Sequence, residues 1–151
     1  LDMPGHLIRR MNQISVSVFA DRMAREGLDM TPVQYAALST IGEEPGLDQA
    51  RLAGAIAHDR ATIGGVVDRL VAKGLVRRRV SDRDRRAREL TLTPRGHAML
   101  ARLRPVVERL QDDILQGLEP EEQAQLVVLL KKATDAGNAL SRAPLRSRTA
   151  G

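Results

Sequence analysis

The sequence predicts a mainly α-helical fold with one small β-hairpin, and three observations predict it. Apolar residues recur at three- and four-residue spacings over most of the chain, the period of helices with one buried face. Strand-like alternation is confined to Glu89-Leu90-Thr91-Leu92, with Leu75-Val76 as its natural partner. Cap residues, prolines and glycines punctuate the helical stretches where ends are needed. The apolar fraction is 42%, enough for a core, but Phe19 and Tyr35 are the only aromatic residues, so aliphatic side chains must pack it.

Leu7, Ile8, Met11, Ile14, Val18, Phe19 and Met23 define a helix over 7–25, ended by Gly27. Thr31-Pro32-Val33-Gln34 supplies the hydroxyl cap, first-turn proline and glutamine of a capping box, opening a second helix through Leu38 and Ile41 that Glu44-Pro45-Gly46 stops. Asp48 caps a third helix with Leu52, Ala53 and Ile56; after a break at His58, Asp59 is expected to cap a fourth. The fourth helix carries Ile63, Val66, Val67, Leu70 and Val71 on one stripe and ends at Gly74. The hairpin follows, its two strands joined by the charged stretch 81–88. Thr93-Pro94 then opens a long helix with Leu100, Leu103, Val107, Leu110 and Ile114, and Glu119-Pro120 opens a last one through Leu126, Leu129 and Leu130 to about residue 140.

This order divides the chain into a lobe over 31–93, helical flanks at 1–30 and 94–140, and a basic tail over 141–151 expected to be disordered. The terminal helices carry more apolar positions than one small core covers, so they are expected to form a dimerisation region around a twofold axis. Helix, tight turn, second helix and hairpin in sequence make the lobe a winged helix-turn-helix, which presents the second of its two helices to the major groove of DNA.

Charge agrees with that partner. Lys and Arg number 24 against 19 Asp and Glu, favouring a polyanion. Cysteine is absent, which excludes disulfides, thiolate metal sites and thiol switches. No apolar run approaches the roughly 20 residues that span a bilayer, and no signal segment is visible, so a cytoplasmic protein without membrane partners is expected. His6, His58 and His97 fall on separate elements with no nucleophile motif or Gly-rich phosphate loop, which argues against an enzyme; no cofactor or metal site is expected.

Around the fourth helix, Ala61, Thr62, Gly65 and Arg69 face away from the apolar stripe, with Gly64 at its edge and Arg60 in the expected first turn. Two successive helical glycines cost about 1 kcal/mol each relative to alanine, and close approach of the backbone to a ligand compensates for such a cost. The hairpin tip holds Arg83, Asp84, Arg85, Arg86 and Arg88 after Arg77, Arg78 and Arg79, a density suited to phosphates and to a narrow minor groove. A solvated charged loop is the competing reading of that stretch.

Leu52-Ala53, the run 59–70, Lys73-Gly74-Leu75-Val76, Asp82-Arg83-Asp84-Arg85-Arg86-Ala87 and Leu92-Thr93-Pro94-Arg95-Gly96 together resemble the multiple-antibiotic-resistance regulator (MarR) family, over about residues 4–140. The Asp-Arg-Arg wing followed by Leu-Thr-Pro-x-Gly is its most specific part. The resemblance implies a DNA-binding transcriptional regulator, with Arg60, Thr62 and Gly64 as groove contacts, Arg86 in the minor groove and Asp84 bracing the wing arginines. Many relatives carry Thr-Arg where this chain has Gly64-Gly65, which passes that contact to Arg60 or Arg69.

The resemblance also implies a repressor released by a small anionic aromatic or phenolic effector bound between the dimer helices and the lobe. His6, Arg9, Arg10 and Gln13 form a polar strip at helical spacing beside Leu7, Met11 and Ile14, where cation and imidazole suit a carboxylate. With Tyr35, they are the candidate effector residues, and the stretches 4–10 and 31–35 resemble the branch that controls breakdown of aromatic carboxylates. A solvated helix face competes for the strip. A metal-responsive or ligand-independent winged-helix DNA-binding protein is the alternative function.

Overall fold

The computed structural model describes residues 1–147 and contains six α-helices, a hairpin and a short 3-10 turn. In order these are α1 (Pro4–Arg25), α2 (Pro32–Glu43), α3 (Gln49–Ala55), α4 (Ile63–Ala72), β1 (Val76–Val80), β2 (Arg88–Leu92), α5 (Pro94–Ile114) and α6 (Pro120–Gly137), with the 3-10 turn at Asn138–Leu140. The strands pair antiparallel, from Val76 opposite Leu92 to Val80 opposite Arg88. The mainly helical class and the winged helix-turn-helix order are those the sequence predicts.

Local chemistry sets most boundaries. Thr31 and Gln34 form the reciprocal capping box: Thr31 Oγ1 accepts from Gln34 N–H at 3.2 Å, and Gln34 Oε1 accepts from Thr31 N–H at 3.3 Å. Asp48 caps α3 by accepting from Arg51 N–H at 2.8 Å, and Thr93 caps α5 by accepting from Gly96 N–H at 2.9 Å. Helices α1 and α4 end in left-handed residues, Gly27 and Gly74, whose N–H groups and those of their successors return to the last helical turn. Helix α3 ends the same way on a residue with a Cβ. Ala57 has φ of 51°, donating from its N–H to Gly54 while His58 N–H reaches Ala53.

The fourth helix departs from expectation at its start. Asp59 does not cap it; its carboxylate accepts from Ala61 N–H at 2.9 Å, closing a tight turn, and the helix begins at Ile63. Arg60 and Ala61 therefore stand in the helix-turn-helix turn rather than on the helix. A pairing the sequence did not indicate lies beside β2: Leu90 N–H donates to Leu47 at 2.9 Å and Gly46 N–H to Leu90 at 2.7 Å, tying the α2–α3 connection to the hairpin.

One continuous aliphatic core runs from Phe19 and Met23 on α1 through Leu38, Leu52, Val67, Leu70 and Leu90 to Leu103 and Leu110 on α5. The buried side chains contribute about 1.5–3 kcal/mol each. Helix α5 shares the lobe's core, and α1 packs chiefly on α5. Helix α6 holds no buried residue. The segment 141–147, expected to be a disordered tail, instead lies against α3, where Arg146 N–H donates to Gly54 O at 2.8 Å; the remainder of that tail falls outside the described residues.

Among the described glycines, Gly96 is approached most closely. A Cβ there would sit 2.0 Å from the Leu75 carbonyl oxygen, closer than any nonbonded contact permits. Gly96→Ala is expected to cost about 3 kcal/mol or more by forcing α5 off the α4–β1 corner, whereas Ala57→Gly should add about 0.5–1 kcal/mol by relieving its left-handed backbone. Equilibrium urea denaturation of the two variants checks both signs.

Candidate nucleic-acid interface

The turn, α4 and the hairpin form one edge of the lobe. Ile63, Val67 and Leu70 pin α4 to the core, leaving Gly65, Asp68 and Arg69 exposed. A Cβ on Gly65 would meet nothing within 4 Å, and one on Gly64 would meet only Gln49 Nε2 at 3.8 Å. Among the described residues no packing calls for glycine at either position, although both lower helix stability. Thr62 Oγ1 stands 3.1 Å from His58 Nε2 and donates to Asp59 O at 3.3 Å, so its hydroxyl helps hold the turn that presents Arg60.

The hairpin tip is built on its few non-basic groups. Buried Ser81 accepts through Oγ from the N–H groups of Arg83 at 3.2 Å and Asp84 at 3.4 Å. Asp84 Oδ1 accepts from Arg86 N–H at 3.0 Å, and Ala87 N–H returns to Asp84 O at 2.9 Å. Asp84 thus shapes the loop backbone. Its contact with the wing arginines is through the Arg86 backbone, and among the described residues it pairs with no guanidinium group.

The arginines divide into two sets. Arg78 pairs with Asp68 at 2.7 Å and donates to Gln49 Oε1 at 3.0 Å, which joins β1 to α4 and α3. Arg79 lies between Asp82 and Glu89, and Arg88 donates to Arg85 O at 3.0 Å. By contrast, the side chains of Arg60, Arg69, Arg83, Arg85 and Arg86 form no hydrogen bond or ion pair within the described residues. Arg60 and Arg86 line one open cleft of about 380 Å³ between turn and wing, together with Ile63 and Arg88. Sequence pattern alone could not make this division, because it depends on which acids the fold brings near.

On α1, Arg9 donates to Gln13 Oε1 at 3.2 Å and lies 3.5 Å from His6 Nδ1; Arg10 forms no such bond within the described residues. The strip is as regular as its spacing predicts. Tyr35 stands on α2, partly buried against the core, and forms no hydrogen bond with the strip. A polar cleft that sequence reading missed lies between α1 and α5, where Arg22 pairs with Asp113. Its signal was absent from the sequence because the partners are 91 positions apart.

A second groove is apolar. Leu7, Ile8 and Met11 of α1 and Leu126, Val127 and Leu130 of α6 line about 490 Å³ between the helices, with Leu7, Ile8, Val127 and Leu130 exposed. Among the described residues no helix is long and apolar enough to cross a membrane, and no three His, Asp or Glu side chains are grouped to hold a metal.

The MarR family model matches residues 28–87, which hold the helix-turn-helix and the wing. The transcriptional regulator HosA of Escherichia coli O157:H7 is 34% identical over 111 residues, spanning 74% of this chain and 82% of that protein. This chain belongs to the MarR family. Two solved structures extend the likeness of this MarR-family chain to the flanking helices. One, concerning regulation of DNA binding of Bordetella bronchiseptica BpsR by 6-hydroxynicotinic acid, has a TM-score of 0.82 and 31% identity over 89% of this chain and 94% of that one. The other, the transcriptional repressor CouR bound to a 23-mer DNA duplex, has a TM-score of 0.80 and 27% identity over 88% of this chain and 93% of that one. The protein is a MarR-family transcriptional regulator with a winged-helix lobe, and its relatives are regulators rather than enzymes.

Proposed function

We propose that this MarR-family regulator is a homodimeric repressor that grips a pseudo-palindromic duplex and lets go when a small aromatic acid or phenol binds. The single observation that carries the DNA contact is the set of arginine side chains without a hydrogen bond or ion pair among the described residues, Arg60 and Arg69 at the turn and α4, and Arg83, Arg85 and Arg86 on the wing. An exposed guanidinium without an internal partner is available to a phosphate or a base edge. Ala61, Thr62, Gly64 and Gly65 present the slim surface that lets α4 sit deep in the major groove, and Asp84 holds the loop that carries Arg86 toward the minor groove. Arg86→Ala is expected to weaken binding to every sequence and to reduce the salt slope by about 0.9 for each phosphate it no longer neutralises, while Arg60→Ala changes base preference. Anisotropy titrations on operator and scrambled duplexes over a salt series check this; equal effects of both variants on all sequences would defeat the division of roles.

Dimerisation is inferred from α6, which lacks a single buried residue yet exposes Val127, Val128, Leu129 and Leu130. A second copy packed along the groove between α6 and α1 would bury Val127 and Leu130 with Leu7 and Ile8, and contiguous apolar surface of this kind marks association. Two lobes related by a twofold axis then require half-sites about one helical turn apart. Val127→Asp should shift the protein to monomer in sedimentation velocity and weaken DNA affinity at least about tenfold, because a single lobe holds only one half-site. A dimer that persists unchanged would place the interface elsewhere.

The effector reading rests on the polar strip of His6, Arg9, Arg10 and Gln13 on α1, none of which lines the apolar groove on the opposite face of that helix. Guanidinium and imidazole groups on one strip suit a carboxylate, and the related BpsR is described with 6-hydroxynicotinic acid, an aromatic carboxylate. Tyr35 would have to meet the ligand from α2. Benzoate-type or hydroxycinnamate-type acids should dissociate the wild-type DNA complex and fail, or need about tenfold more acid, with Arg10→Ala. A variant that responds like the wild type removes Arg10 from the site.

A further inference from the structure

Residues 141–147 run from the end of α6 to the helix-turn-helix, and their only ionisable side chains are Arg142 and Arg146. The segment is fastened by specific bonds. Asn138 clamps Leu145 in both directions, donating from Nδ2 to its carbonyl at 2.9 Å and accepting through Oδ1 from its N–H at 2.7 Å. Arg146 N–H donates to Gly54 O at 2.8 Å, and Arg142 Nε lies 3.4 Å from Asp59 Oδ2.

Gly54 supplies a built seat. It lies inside α3, where glycine costs about 1 kcal/mol relative to alanine, and a Cβ there would come within 3.1 Å of Arg146 Cβ and Cδ. The missing side chain makes room for the arm. Arg60 then connects the arm to the wing, lining one cleft with Arg146 and Gly54, another with Arg142 and His58, and a third with Arg86 and Arg88. Asp59, which would repel a phosphate at this edge, has Arg142 as its counter-charge.

We propose that the C-terminal arm is a third DNA-contacting element of each protomer, seated on Gly54 so that Arg142 and Arg146 extend the arginine row of wing and turn along the phosphate backbone of the same duplex. The inference rests on the DNA-binding reading above. Its contribution is electrostatic and independent of sequence, because neither arginine is carried by an element inside a groove. Both residues are exposed, as a phosphate contact requires.

The test uses the full chain and two variants, Arg142→Ala/Arg146→Ala and Gly54→Gln, with circular dichroism to confirm that each is folded. Gly54→Gln keeps every charge and fills the seat. In anisotropy titrations over a salt series, both variants should lower the salt slope by about 0.9 per phosphate left unneutralised and weaken operator and scrambled duplexes equally. Arg142→Lys/Arg146→Lys, which keeps both charges, should retain most of the slope. An unchanged slope in the double alanine variant overturns the proposal. A slope reduced there but intact in Gly54→Gln also overturns it, since the arginines would then act without the seat. Failure of the wild type to bind any duplex would instead sink the DNA-binding reading itself.

Discussion

The corner at Gly74 and Leu75 is the constraint on which the remaining geometry depends. Gly74 takes a left-handed conformation with φ of 72°, turning the chain from α4 into β1. The Leu75 carbonyl accepts from Thr93 N–H at 3.0 Å, Thr93 Oγ1 donates to Gly74 O at 2.6 Å, and that same hydroxyl oxygen accepts from Gly96 N–H. Four element ends meet at one point, and Gly96 is what allows them to approach so closely. The direction in which the wing leaves the lobe and the direction in which α5 leaves it are thereby linked. The close packing at this corner leaves little room for α5 to shift independently of α4 and the hairpin.

Electrostatics are organised on that frame by selective pairing. Acids near the strands take up Arg78 and Arg79, so these two hold the hairpin against α4 and against itself. Exposed ion pairs of this kind add little stability individually. Their consequence is geometric: they orient the wing while leaving the Arg83, Arg85 and Arg86 side chains without partners among the described residues. The loop backbone is fixed by Ser81 and Asp84, so the tip side chains emerge from a defined turn rather than a slack one. Pre-ordering the backbone reduces the entropy lost when a polyanion is bound.

Long-range packing also overrides local preference within α5. Pro105 removes a helical N–H and crowds the preceding turn, yet the helix runs from Pro94 to Ile114 through it. Leu103 and Val106 on either side are buried in the shared core, and their burial outweighs the missing hydrogen bond. Helix α6 represents the opposite case: its capping box and good helix formers sustain it without any buried side chain of its own. Its exposed apolar residues are the surface from which association is proposed.

The amino-acid order by itself determined the helices, their caps and the hairpin, because these follow from signals a few residues apart: Thr31 with Gln34, Asp48 with Arg51, Thr93 with Gly96. It also determined the family, through the wing and the Leu-Thr-Pro-x-Gly stretch whose glycine meets Leu75. The start of α4 is not legible in the sequence, since Asp59 can bond either a helix end or a tight turn, and in the fold it closes the turn. Tertiary structure alone decided which arginines are neutralised, that Arg22 meets Asp113, and that the C-terminal arm lies on Gly54. Those outcomes join residues far apart in the sequence, and charge partners at such separations are set by the path of the chain, which no local pattern encodes.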